Sequence, residues 1–534
     1  MRTLHGVSAS PGVAIGQALV LGRAVRHADT VRVTNRSAEA DRARHALEQA
    51  ASDLERLAAG LRDAGRPAEA DVVDTGVLMA MDPELITRVE TLILDSGLYA
   101  ADALREATEQ TALELSRLPD PTLALRADDV RSLGRRAAAH VEGDVTIAAG
   151  GVLIADSLGP ADVAELAPRV NAIALAAGGV TSHAAIVARS LGLPMVVGAG
   201  AELLEVEDGE EVLVDGDHGL VLREPDAERA AEARTDVERR HSAREIAIAR
   251  RLEPAKTRDG RRVRVLANAS TAAELEEATG QGAEGVGLMR TELLFLEATA
   301  WPSYERQVEV FRPVLARLED QTATVRLFDF GGDKTPPFLS GIVKRGIDVL
   351  LDEPDALRAH VKAVVDAGRG TRLRILVPMV SSASQLIAVR EAVGSGPLVG
   401  AMIETPEAAS APAEIAQASD FLSIGTNDLT QLVLGLDREQ SRRAPVMNPR
   451  VLILIDATVR AGHAARIDVD VCGEAASDPA VMPILIGLGV DELSVAAARV
   501  GLVRQLVREL DFAACEKEAE KLLHQASHAS RQRV

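Results

Sequence analysis

Eight short runs of apolar, largely β-branched residues alternate with amphipathic helical stretches through the C-terminal half of the chain. That rhythm restricts the fold more than any other feature. The runs are Val263–Ala267, Gly285–Met289, Thr324–Phe330, Leu373–Val380, Leu398–Ile403, Phe421–Ile424, Ile467–Val471 and Glu492–Val495. Helical periodicity between them shows in Thr271–Thr279, Asp355–Ala367 and Ser384–Val393. Eight strand–helix units over roughly 250 residues match the size of a (β/α)8 TIM barrel. An open doubly wound sheet is the alternative. The count of eight, and the residues that end the runs, favour the barrel.

In such a barrel, chemistry sits where strands end. The second run ends in Arg290-Thr291-Glu292, and the third carries Arg326 and leads to Asp329-Phe-Gly-Gly-Asp333-Lys334. The fifth ends in Glu404-Thr405-Pro406, the sixth in Thr426-Asn427-Asp428 and the seventh in Cys472-Gly473-Glu474. One polar strand end is an ordinary cap; five together are not. Arg290, Arg326, Lys334 and Arg438 supply fixed positive charge and forked donors suited to phosphate and carboxylate oxygens. Glu404 and Asp428 are two hard oxygen ligands, the usual protein share of a Mg²⁺ site completed by substrate and water. A small anion carrying phosphate and carboxylate and chelating Mg²⁺ satisfies both sets. Cys472 reads either as a small buried apolar residue or, beside these polar ends, as a weak acid with one proton to give.

The N-terminal half is organised differently. Residues 1–30 and about 141–225 read as one small α/β domain, interrupted by an all-helical segment over 31–140. In that segment Ala43, Leu47, Ala50, Leu54, Leu57 and Leu61 recur at helical spacing, with Ser37 as a candidate N-cap. Residues 226–252 carry Glu and Arg on most faces and read as a solvated linking helix, followed by the barrel at 253–534. Gly178-Gly-Val-Thr-Ser-His183 follows a strand and opens a helix ending near Gly192-Leu193-Pro194. His183 therefore falls in a first helical turn, where free N–H groups favour an anion, and a neutral imidazole there can be a nucleophile. A polar cap is the plainer reading of that histidine. A net charge of −21, only 2% aromatic residues and two cysteines argue against nucleic acid as partner and against a disulfide scaffold. No run is long enough for a membrane span, and a cytoplasmic protein without membrane insertion is expected.

Taken together, these segments resemble enzyme I of the bacterial phosphoenolpyruvate:sugar phosphotransferase system. The resemblance runs over nearly the whole chain. It rests on Ser8-Ala-Ser-Pro-Gly-Val-Ala-Ile-Gly, Thr181-Ser-His-Ala-Ala-Ile-Val-Ala-Arg-Ser and Glu284-Gly-Val-Gly-Leu-Met-Arg-Thr-Glu. Arg326-Leu-Phe-Asp-Phe-Gly-Gly-Asp-Lys334, Ile403-Glu-Thr-Pro, Ser423-Ile-Gly-Thr-Asn-Asp-Leu-Thr-Gln and Val471-Cys-Gly-Glu complete it. It implies an α/β fold with a swivelling phosphohistidine domain, an inserted helical bundle that binds the carrier HPr, a helical linker and a TIM barrel. It further implies phosphoenolpyruvate held by Arg290, Arg326, Lys334, Asn427 and Arg438, with Mg²⁺ on Glu404 and Asp428. His183 would take the phosphoryl group, Cys472 would protonate the enolate to pyruvate, and HPr would receive the phosphoryl group. A homodimer through the barrel is a further family expectation.

Pro67 to Thr87 holds Glu69, Asp71, Asp74, Asp82 and Glu84 among apolar residues, with no basic side chain, which suits docking of a carrier with a basic patch. Several positions depart from the family pattern. Val180 replaces an arginine, and Val163 stands where a threonine partners the active histidine. Gly76 replaces a histidine, and the loop after Lys334 is shortened, which makes Arg345 the counterpart of a phosphate-contacting arginine. A phosphoenolpyruvate-sensing regulator, a dikinase-like enzyme without its ATP-grasp domain and a barrel lyase acting on pyruvate are the competing readings. The last leaves His183 unexplained.

Overall fold

The computed structural model describes residues 2–21, 33, 35–63, 66–117, 126–143, 150–180, 182–332, 334–436 and 446–531. The chain divides into two compact units, residues 1–241 and 242–534. The boundary falls inside one helix, Ala227–Ala249.

The first unit is built on an eight-stranded mixed sheet in the order β1-β8-β7-β3-β4-β5-β6-β2. Its strands are β1 (Arg2–His5), β2 (Val7–Ser10), β3 (Val13–Val20), β4 (Gly151–Ala155), β5 (Val170–Leu175), β6 (Met195–Val197), β7 (Glu211–Asp215) and β8 (Leu220–Arg223). The expected hairpin around Asp215-Gly216-Asp217-His218-Gly219 is β7–β8, paired Val212↔Arg223 to Asp215↔Leu220. Between β3 and β4 the chain makes the helical segment: α1 (Arg36–Asp63), α2 (Pro67–Ala80), α3 (Pro83–Leu94), α4 (Ala100–Ser116) and α5 (Ala127–Glu142). Along α1 the buried face is Ala40, Ala43, Leu47, Ala50, Leu54, Ala58 and Leu61. Spacings of three and four put these on one stripe, and the alanines let α2 and α5 approach closely. The cap of α1 is Asn35, whose Oδ1 accepts from the Ala38 amide at 3.2 Å, rather than Ser37, which is already the second residue of the helix. Two further helices flank the sheet, α6 (Pro160–Leu166) and α7 (His183–Leu191), and α8 spans Ala227–Ala249.

The second unit is a closed barrel of eight parallel strands, β9 to β16 in order, with β16 pairing back to β9. They are β9 (Arg264–Asn268), β10 (Gly285–Arg290), β11 (Thr322–Arg326), β12 (Arg372–Val377), β13 (Leu398–Ile403), β14 (Leu422–Ile424), β15 (Val469–Val471) and β16 (Glu492–Ala496). All eight expected runs hold a strand. One core lies between strands and outer helices, and a second, inside the barrel, is Leu288, Leu376, Met402, Phe421 and Cys472. Among the described residues no helix is long and apolar enough to cross a membrane.

Candidate functional site

At the C-terminal rim of the barrel, basic and acidic side chains interlock. Arg326 ends β11 and is only 2% exposed. Its guanidinium contacts Glu292 and lies 3.3 Å from Asp329 Oδ2. Lys334 Nζ donates to Asp329 Oδ2 at 2.8 Å and to Glu292 Oε1 at 3.2 Å. Arg345 reaches both oxygens of Asp329, at 3.2 and 3.1 Å, and donates to Asp428 Oδ1 at 3.0 Å. Burial works against the Arg326 charge, but Glu292, Asp329 and Glu404 outweigh it and hold the guanidinium charged. Burial alone would raise the Asp329 carboxyl, yet Arg326, Lys334 and Arg345 bring it down to about 2. Asp329 is thus the hub on which three cations are oriented.

Glu404, fully buried at the end of β13, is the opposite case. Burial and the charges of Asp329 and Asp428 push its carboxyl up to about 8. Its Oε1 accepts from the Met379 amide at 2.8 Å, while Oε2 is buried without a hydrogen-bond partner. Met379 holds that amide in place with a φ of 52°, a left-handed conformation costly for a side chain of this size. A buried oxygen with no donor beside a second carboxylate is what a divalent cation satisfies. Glu404 and Asp428 are the residues that could hold one, and two protein carboxylates leave its remaining positions to substrate and water. Among the described residues no cluster of three or more acidic, histidine or cysteine ligands competes with this pair.

The other sequence-derived residues fall as follows. Arg290 is half-buried at the end of β10; its backbone amide donates to Ser270 Oγ at 3.0 Å, and its side chain makes no ion pair among the described residues. Asn427 is exposed, and its Oδ1 accepts from the Glu474 amide at 3.1 Å, tying the ends of β14 and β15 together. Cys472 is buried in the barrel interior, its Sγ 3.7 Å from the Ile424 carbonyl. Burial and Asp470 push its thiol up to about 12, so it carries its proton at neutral pH. Arg438 lies outside the described residues. Glu292, Asp329 and Arg345 complete the rim. The first two were visible in the strand-end motifs as acidic neighbours of cations, a pairing that sequence order alone did not expose.

In the first unit His183 opens α7. Ser182 caps the helix, its Oγ accepting from the Ala185 amide at 3.3 Å, and Gly192 ends it in the left-handed conformation. Thr181 lies outside the described residues. Arg189 reaches back to the carbonyls of Ala9, at 3.1 and 2.9 Å, and Val180, at 3.0 Å, fixing the turn that precedes the histidine. His183 Nδ1 is buried and lies 3.3 Å from Asp129 Oδ2 of α5, off the line a hydrogen bond requires. Asp129 is 8% exposed and also pairs with Arg126 at 3.1 Å. No sequence signal marked this carboxylate, because it lies in another helix far earlier in the chain. The acidic α2–α3 segment is partly committed internally. Asp71 and Asp74 pair with Arg62, Glu69 with Ser190, and Asp82 caps α3, whereas Leu78 is 74% exposed.

Three family descriptions match the chain. They are "PEP-utilising enzyme, N-terminal" over residues 5–126, "PEP-utilising enzyme, mobile domain" over 147–219 and "PEP-utilising enzyme, PEP-binding domain" over 245–512. The phosphoenolpyruvate-protein phosphotransferase of Streptomyces coelicolor is 36% identical, over 97% of this chain and 95% of that one. That of Haloferax volcanii is 38% identical, over 85% and 84%. The multiphosphoryl transfer protein of Rhodobacter capsulatus is 37% identical over 95% of this chain, which spans 64% of that longer relative.

Proposed function

Because the chain belongs to the phosphoenolpyruvate–protein phosphotransferase family, we propose that it moves the phosphoryl group of phosphoenolpyruvate onto His183. From His183 the group passes to a histidine of the carrier HPr, the first step of sugar uptake by the phosphotransferase system. The observation that carries this reading is the barrel rim, where Arg326, Lys334 and Arg345 converge on Asp329 beside the underbonded Glu404.

Phosphoenolpyruvate brings both anionic groups to these cations, with Arg290, which makes no ion pair among the described residues, and Arg438 as further partners, and Asn427 at the rim as a donor. Mg²⁺ on Glu404 and Asp428 supplies charge neutralisation when bound. The reaction breaks the enol-ester P–O bond and forms a P–N bond at Nε2 of His183. Positioning and charge compensation carry most of the catalysis. Cys472, a thiol at neutral pH, gives its proton to the methylene carbon of the enolate, and pyruvate leaves. In this reading HPr docks on the α2–α3 face around Leu78, the barrel forms the homodimer contact, and the protein works in the cytoplasm.

Incubation with Mg²⁺ and phosphoenolpyruvate labelled at phosphorus tests the reading. Acid-labile, base-stable label is expected on the wild type and absent from His183→Ala, and added HPr removes it. An unlabelled wild type refutes the phosphotransferase assignment; label that HPr cannot discharge identifies a sensor instead.

A further inference from the structure

Beneath the rim, β14 and β15 run parallel with Ser423 opposite Asp470. Side chains alternate along a strand, so Asp470 on β15 and Cys472, two positions on and just past its end, share the barrel interior. Asp470 is 3% exposed. Its Oδ2 accepts from Ser423 Oγ at 2.7 Å and its Oδ1 from Ser494 Oγ at 2.8 Å. The Ser423 hydroxyl also neighbours the Cys472 thiol, whose Sγ lies 3.7 Å from the carbonyl of the adjacent Ile424. Carboxyl, hydroxyl and thiol therefore stand in sequence inside the barrel, the first two hydrogen-bonded, and Glu404 and Arg326 of the rim act on the thiol end.

A buried carboxylate needs a cation, and Asp470 has none in direct contact among the described residues. The nearby Arg374 is committed to Glu492, at 2.7 and 3.1 Å. Burial and the Glu492 charge push the Asp470 carboxyl up to about 7, against the pull of Ser423, Ser494 and Arg374. It can thus hold or release a proton near neutrality at little cost. The thiol above it faces the reverse problem. Once Cys472 has given up its proton, a strongly basic thiolate is left in a dry pocket and must be recharged before the next turnover.

We infer that Asp470 and Ser423 form a proton relay that recharges Cys472 between turnovers. The inference rests on the phosphotransferase reading. When the Cys472 S–H proton moves to the enolate carbon, the thiolate takes the Ser423 hydroxyl proton. The Ser423 oxygen then takes the proton from Asp470 Oδ2. The carboxylate left behind is reprotonated from solvent water after pyruvate departs, so one solvent proton enters for each pyruvate formed. Asp470 and Ser423 touch no substrate; they are positioning residues acting through the thiol.

The test separates the first turnover from later ones in the full-length protein. Without HPr, His183 is labelled once per site, drawing on the proton already stored on Cys472. With excess HPr, every turnover after the first needs recharging. Asp470→Asn and, as a second break in the line, Ser423→Ala are expected to label at the wild-type rate without HPr. Both are expected to make pyruvate at least about tenfold more slowly in steady state with HPr, while Cys472→Ala is slow in both assays. Steady-state rates equal to wild type in both variants overturn the relay, and so does equal slowing of the first and later turnovers, which marks a structural role. A wild type that takes no label overturns the phosphotransferase reading and the relay with it. A labelled wild type with unaffected variants overturns the relay alone.

Discussion

An imidazole attacks phosphorus through the ring nitrogen that carries no proton, so the partner of the other nitrogen decides whether it is ready. At His183, the proposed phosphoryl acceptor, the nearest such group is Asp129, 3.3 Å from Nδ1 but out of hydrogen-bond line. Once aligned, a carboxylate so close favours the tautomer with the proton on Nδ1, which in the proposed transfer leaves the Nε2 lone pair for phosphorus. Val163, fully buried in α6, has no hydroxyl for this task. Replacing Asp129 by Asn removes the charge while keeping the volume. The expected outcome is a mixed Nδ1/Nε2 tautomer population in ¹⁵N spectra of His183 and a phosphorylation rate lower by about tenfold. Unchanged ring nitrogen shifts would deny Asp129 this role. Most charged rim residues could be read in the sequence because they lie at or shortly after strand ends, whereas Arg345, far along the segment after β11, is reached only through the family resemblance. Asp129 and Asp470 could not, since what faces a buried side chain depends on packing between elements distant in the chain.

Helix α7 is short, so its ends matter out of proportion to its length. Ser182 at the N-cap and Gly192 at a φ of 66° satisfy amides and carbonyls that nine residues of helix cannot satisfy internally. Ser182→Ala is expected to cost about 1 kcal/mol and Ser182→Asp to restore it, read as faster and then recovered hydrogen exchange at the Ala185 and Ile186 amides. Element boundaries show how far local sequence reaches. Leu398–Ile403 is a strand over the whole expected run, but the run Thr324–Phe330 is strand only from Thr322 to Arg326. Beyond it the Phe328 amide donates to His360 Nε2 at 3.2 Å, leaving the strand ladder. Burial lowers His360 to about 3, so the ring is neutral and Nε2 can accept, while its face stacks on Phe328 at 3.7 Å. The apolar character of 327–330 thus records an aromatic cluster, with Phe330 and Trp301, and not more sheet. Likewise β12 stops at Val377, because Met379 adopts its left-handed conformation to point an amide at Glu404.

The two units have separate hydrophobic cores. One belongs to the barrel, and the others to the α1–α5 bundle and the two faces of the N-terminal sheet. The boundary between the units falls within α8, an exposed, charged helix that buries only a few alanines such as Ala230, Ala233 and Ala247. Cores closed within their own units behave as separate cooperative blocks, so calorimetry of the intact chain should resolve two unfolding transitions. The proposed substrate and cation contacts lie in the barrel alone. Saturating Mg²⁺ with phosphoenolpyruvate should therefore move one transition upward, by about 2.7 kcal/mol of added stability at a hundredfold excess over Kd. In a His183→Ala chain, which on the proposed mechanism does not turn the substrate over, the other transition should stay where it is. Glu404→Gln, which keeps the shape of the side chain but removes the carboxylate that would bind the cation, should abolish most of the cation-dependent part of the shift. If both transitions move together in the His183→Ala protein, ligand binding in the barrel is coupled to the folding of the histidine-bearing unit, and the two blocks are one thermodynamic system.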